Sequence, residues 1–104
     1  MNKELAGFQK KYLRGLAHNL NPIVFIGQNG VTDAVIRSMD EALSAHELIK
    51  VKFVDHKEKR TKGRLAAELG EKTGGSLVGM IGHVAVFFRP RPDPRKRRIT
   101  LPQK

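Results

Sequence analysis

Apolar positions along the 104-residue chain fall into three helix-like and four strand-like stretches. Within residues 3–19, Leu5, Phe8, Tyr12 and Leu16 recur at three- and four-residue spacing, which predicts a helix with that stripe inward. Lys3, Lys10, Lys11 and Arg14 lie largely off the stripe. Asn21-Pro22 ends the helix. Ile23-Val24-Phe25-Ile26 is wholly apolar and rich in β-branched residues, so it predicts a buried strand. After Gly27-Gln28-Asn29-Gly30, Thr32 as N-cap and Asp33 open a second helix that runs to about Ala45. Val35, Met39, Ala42 and Leu43 form its inward face.

Leu48 to Val54 alternates, with Ile49, Val51 and Phe53 on one face and Lys50 and Lys52 on the other; that is a strand with one side in the core. A third helix is expected from about Glu58 to Thr73, stopped by Gly74-Gly75. Two short strands, about 76–81 and 84–88, meet at Gly82-His83. Strand-helix-strand units imply parallel pairing and the closing hairpin implies an antiparallel pair. The order α-β-α-β-α-β-β therefore predicts a single α/β domain, residues 1–88, with a mixed four-stranded sheet packed with helices. Residues 89–98 carry three prolines among Arg and Lys and are expected to be an extended, mobile segment. In the C-terminal end, residues 99–104, Ile99-Thr100-Leu101 is a candidate short edge strand.

Composition narrows the class of molecule. At 39% hydrophobic the chain can fold, and without Cys it has neither disulfides nor a thiolate metal site. It shows no apolar run of membrane-spanning length and no signal-peptide core; a cytoplasmic monomer without membrane contact is expected. The formal net charge is +10, and it is blocky. Residues 1–19 carry +3, 20–49 carry −3, 50–64 carry +5, 65–88 carry −1 and 89–98 carry +5. Such blocks suggest one positive surface facing a polyanion.

Catalytic chemistry finds little support. His18, His46, His56 and His83 are scattered and lack metal-binding context, and no nucleophile or carboxylate pair stands out. No enzyme activity, cofactor or small-molecule substrate is expected. Gly27-Gln28-Asn29-Gly30 is neither GxGxxG nor a P-loop. A Gly-x-x-Gly loop does let a phosphodiester approach the backbone closely, although from these four residues alone a plain turn is the stronger reading. Lys50 and Lys52, followed by Lys57, Lys59, Arg60, Lys62 and Arg64, shift the balance towards phosphate binding. Phe25, Phe53, Phe87 and Phe88 are flanked by aliphatic residues and read as core, so a base-stacking platform is not expected. Recognition through phosphates and shape is.

Several stretches together resemble one family. Gly15-Leu16-Ala17-His18, Leu20, Pro22, the strand into Gly27–Gly30, Thr32, Ala42-Leu43 and His46-Glu47-Leu48-Ile49-Lys50-Val51 are similar to the CRM (chloroplast RNA splicing and ribosome maturation) domain. Ile81-Gly82, Phe88-Arg89-Pro90 and Ile99-Thr100-Leu101-Pro102 extend the match, and the length looks like the bacterial stand-alone YhbY type. The resemblance implies a fold akin to the C-terminal domain of translation initiation factor three. It also implies RNA contact through Gly27, Gln28, Asn29 and Gly30 with adjoining basic surface, and association with precursor large ribosomal subunits. The RNA-contacting set then comprises that loop, Lys50, Lys52, Lys57, Lys59, Arg60, Lys62, Arg64 and the first-helix residues Lys10, Lys11 and Arg14. The competing expectation is a protein-interaction module that docks acidic ribosomal or RNase partners through the basic tail.

Overall fold

The computed structural model describes residues 4–103. Its elements follow the expected order: α1 (Gly7–Ala17), β1 (Val24–Ile26), α2 (Asp33–His46), β2 (Leu48–Phe53), α3 (Lys59–Thr73), β3 (Ser76–Ile81) and β4 (Val84–Phe88), then a single 3-10 turn at Pro94–Lys96. The strands form one mixed sheet in the order β1-β2-β4-β3. β1 and β2 pair in parallel, joined by α2, while β2–β4 and β4–β3 are antiparallel. Lys3, assigned above to the first helix, lies outside the described residues.

The sheet serves two apolar clusters. On one face α2 and α3 bury Met39, Leu43, Leu65 and Leu69 against Val24, Ile26, Ile49, Val51, Phe53, Ala85 and Phe87. On the other, α1 contributes Leu13 and Ala17 against Leu48, Val78, Val86 and Phe88. The alternation in β2 is what divides its residues between the two. α2 starts as its sequence specifies, with the Thr32 hydroxyl accepting the Val35 N–H at 3.1 Å.

Three expectations about burial are corrected. α1 turns Leu13 and Ala17 inward and leaves Phe8, Tyr12 and Leu16 on its outer flank. The reason is close approach: the Arg14 stem lies over Gly79, where a Cβ would meet the Arg14 Cδ at 3.0 Å. A helix so near the sheet admits only the residues directly beneath it. The run 23–26 is not buried throughout either. β1 is an edge strand with only one face covered, so Val24 and Ile26 are buried while Ile23 (46%) and Phe25 (53%) are exposed. Ile99 and Leu101 join no strand; they pack on the α1 cluster as unpaired chain.

The sequence marks residues 89–98 as a mobile arm, but the structure gives them fixed partners. Arg89 reaches Asp40 Oδ1 (2.6 Å) and the Thr73 carbonyl (2.7 Å). Arg91 donates to the carbonyls of Ser44 (3.2 Å) and Ala45 (2.6 Å) at the negative end of α2. Glu47, fully buried and held at φ 65°, accepts backbone N–H groups from Arg91 (2.9 Å), Arg98 (2.8 Å) and Ile99 (3.2 Å). Proline removes donors, but the N–H groups of Arg91 and Arg98, joined by that of Ile99, converge on one carboxylate.

Burial by itself would raise the Glu47 pKa; the N–H donors of Arg91, Arg98 and Ile99 and the Arg91 charge outweigh it and hold the carboxyl below its ordinary value of 4.5. A depressed carboxylate pKa adds stability above the unfolded-state value, and this is lost as pH falls through the folded-state value. Glu47→Gln, which sets an amide against backbone donors, should cost about 3 kcal/mol in urea unfolding at pH 7. The gap between wild type and variant should close as the pH drops below about 4.5.

Candidate nucleic-acid interface

The glycine loop lies at the carboxyl end of β1. Its turn closes through Gly30 N–H to the Gly27 carbonyl at 3.0 Å. Gly30 is buried with φ 66°, a conformation that disfavours any side chain, while a Cβ on Gly27 would meet nothing within 4 Å. Gly27, Gln28 and Asn29 are exposed. The loop backbone is thus open on one side and anchored on the other.

The anchor is His56, which the sequence does not single out. Its Nε2 donates to the Gln28 carbonyl at 2.8 Å. His56 sits at φ 58° in the segment after β2, and that segment is tied to β1 by Val54 and Asp55 N–H groups bonded to the Ile26 carbonyl. The two loops at the carboxyl ends of the parallel strands are therefore joined into one ridge. The turn between β3 and β4 completes it, since Phe53 N–H bonds to the His83 carbonyl at 2.8 Å.

Cations gather on this ridge. Lys52, Lys57, Lys59, Arg60 and Arg64 are exposed and Lys50 is half-buried. Among the described residues the ion pairs are Lys72–Glu68, Arg89–Asp40 and Arg95–Asp93, and none neutralises a cation of residues 50–64. Lys59 and Arg60 stand in the first turn of α3, which has no acidic residue and no side-chain cap bond at Glu58. Cations at the positive end of a helix dipole destabilise it by a few tenths of a kcal/mol each. An anion in front of that turn reverses the sign.

Lys62 does not belong to this exposed set. Only 7% exposed, it donates from Nζ to the Gly82 carbonyl (2.6 Å) and to His83 Nδ1 (3.1 Å). It braces the β3–β4 turn, because its side chain emerges on the face of α3 that also carries Leu65, Ala66 and Leu69. Desolvation, followed by the charges of Lys62, Lys57 and Lys52, lowers the pKa of His83.

The first-helix cations lie elsewhere. Arg14 donates to the Val78 carbonyl (3.3 Å) and shares a groove of about 290 Å³ with Lys50, whose Nζ donates to the His18 carbonyl (3.3 Å). Lys11 lines the outer flank of α1 beside Tyr12 and Pro102, and Lys10 is half-buried. Arg89 and Arg91 are engaged within the protein.

A family model described as the CRS1 / YhbY (CRM) domain matches residues 5–89. The chain belongs to the CRM domain family. An RNA-binding protein of Haemophilus influenzae is 42% identical to it over 96 residues, covering 92% of this chain and 93% of that protein. The Bacillus subtilis protein YqeI is 38% identical over 98 residues, 94% of this chain and 99% of its own length. The solution structure of SAV1595 from Staphylococcus aureus matches this CRM domain with a TM-score of 0.80 at 39% identity, covering 95% of this chain and 100% of the other.

Two measurements check the ridge. His56→Ala should lower the thermal midpoint by no more than about 4–8 °C, since one exposed hydrogen bond is worth about 1 kcal/mol. Faster amide exchange at Gly27–Gly30 should reveal the released loop. In an NMR titration the His83 imidazole should protonate below the ordinary 6.5, and Lys57→Met should raise that midpoint.

Proposed function

We propose that this CRM-domain protein is a non-enzymatic RNA-binding protein that grips structured RNA of the precursor large ribosomal subunit. The observation that carries the proposal is the unneutralised cluster Lys50, Lys52, Lys57, Lys59, Arg60 and Arg64 beside a glycine loop whose backbone is open to solvent. The cations contact phosphates, and the loop, held in place by His56, sets the register of the strand. Neither central residue of the loop is charged, so its contacts come from backbone N–H groups and the Gln28 and Asn29 amides. The ribosomal partner rests on the CRM resemblance alone, which implies large-subunit assembly; a relative named as an RNA-binding protein supports the RNA-binding part of the reading.

The tail-docking alternative keeps the exposed Arg95, Lys96, Arg97 and Arg98 but loses Arg89 and Arg91, which are engaged on α2. Residues 89–101 also close the cluster beneath α1, which gives them a structural task.

Neutralising about six phosphates predicts that log K falls with log salt at a slope of about −4 to −5, so a fourfold rise in salt lowers affinity by a few hundredfold to ~10³-fold. Binding of a ribosomal RNA fragment across a salt series measures this, and a flat dependence would sink the proposal. Gly27→Asp has room for its side chain and should weaken binding about tenfold by placing a negative charge against phosphate, at unchanged thermal stability. Sedimentation with precursor large subunits, rather than with mature ones, tests the partner.

A further inference from the structure

The half of the sheet that α1 leaves uncovered carries a row of apolar side chains around Lys52. Register pairs Phe25 with Lys52, Lys52 with Val84 and Val84 with Ile81, so these four residues cross all four strands on one face. Ile23 lies one step back on the same face, with its N–H bonded to the Lys50 carbonyl. Phe25 is 53% exposed, Ile81 63% and Ile23 46%. The groove beside them is rimmed by Arg14, His18 and Lys50. By contrast Phe53, Phe87 and Phe88 are buried, so Phe25 is an aromatic side chain that the sheet turns to water.

Two features decide what this face fits. Its apolar residues are interrupted by Lys52 within the row and bordered by Lys50 in the adjoining groove, whereas the centres of protein–protein interfaces are depleted of lysine. A nucleotide, by contrast, presents a flat apolar base and a phosphate side by side, and single-stranded binders answer with an aromatic platform next to cations. Phe25 is also two residues before Gly27, about 7 Å along an extended strand. A base on the Phe25 ring therefore lies next to the loop and Lys52.

We propose that Phe25 is a stacking platform for one unpaired nucleobase, with Lys52 and Lys50 holding its flanking phosphates. The proposal rests on the RNA-binding reading and sharpens it, because it requires a single-stranded or bulged nucleotide within the bound RNA. Ile81 and Val84 extend the apolar floor on the far side of Lys52.

The chain contains no Trp, which makes Phe25→Trp a unique fluorophore at the site. The probes are a mixed-sequence single-stranded octaribonucleotide and a blunt RNA duplex. Phe25→Leu should lower affinity for the octanucleotide about ten- to a hundredfold. It should leave duplex affinity within twofold and the salt slope unaltered. Phe25→Trp should restore octanucleotide affinity, and its emission should be quenched at saturation. Thermal melting of both variants near the wild-type midpoint excludes misfolding. Octanucleotide affinity unmoved by Phe25→Leu, while wild type still binds both RNAs, overturns the platform and leaves the RNA-binding reading standing. Wild type that binds neither RNA overturns both. Trp emission indifferent to RNA, but blue-shifted with rising protein concentration, assigns the face to a second copy of this chain and overturns the platform.

Discussion

One strand has to serve two cores, and the rest of the structure follows from how it does so. β2 gives Ile49, Val51 and Phe53 to the cluster under α2 and α3, and Leu48 to the cluster under α1. Lys50 and Lys52 continue on the Leu48 side with a period of two, where burial would require partners for their charges. α1 therefore covers only the Leu48 end of that face. The open end falls next to the carboxyl termini of β1 and β2, where the glycine loop and the basic segment after β2 already lie. A single alternating strand thus couples the stability of the domain to the position of its charged surface.

The elements were legible because most of the signal is local. Period-two alternation in β2, the Thr32 cap and the glycines after α3 each specify structure within a few residues. Burial was less legible wherever it depends on what covers a residue. An apolar run such as 23–26 reads alike at the centre and at the edge of a sheet, and only strand order shows that Phe25 has one bare side. The stripe of Phe8, Tyr12 and Leu16 has the right spacing but faces away from the sheet, because α1 comes close over Gly79. Lys62 looked like its basic neighbours until the turn at Gly82 and His83 placed a carbonyl and an imidazole in front of it. His56 was invisible for a related reason: its acceptor is a backbone carbonyl 28 residues away, which leaves no trace in side-chain patterning.

The two most basic segments are held differently. Residues 50–64 form no ion pair among the described residues, and apart from the buried Lys62 and half-buried Lys50 their cations face solvent. In the tail, Arg89 bonds Asp40 and Arg91 bonds the last carbonyls of α2, while Arg95, Lys96, Arg97 and Arg98 stay exposed. Net charge alone treats the blocks as equal. What separates them is that two of the tail's arginines fasten it to α2.

The Glu47 carboxylate also imposes an order in time. Its backbone donors lie 44, 51 and 52 residues further along. A chain emerging from the ribosome makes the carboxylate at least 44 residues before the groups that satisfy it. Until Arg98 and Ile99 appear, water has to solvate a carboxylate that the finished fold excludes from it, and Ile99 and Leu101 are missing from beneath α1. Docking of this segment therefore acts as the closing step of folding, because only then are the buried carboxylate and the cluster beneath α1 both completed.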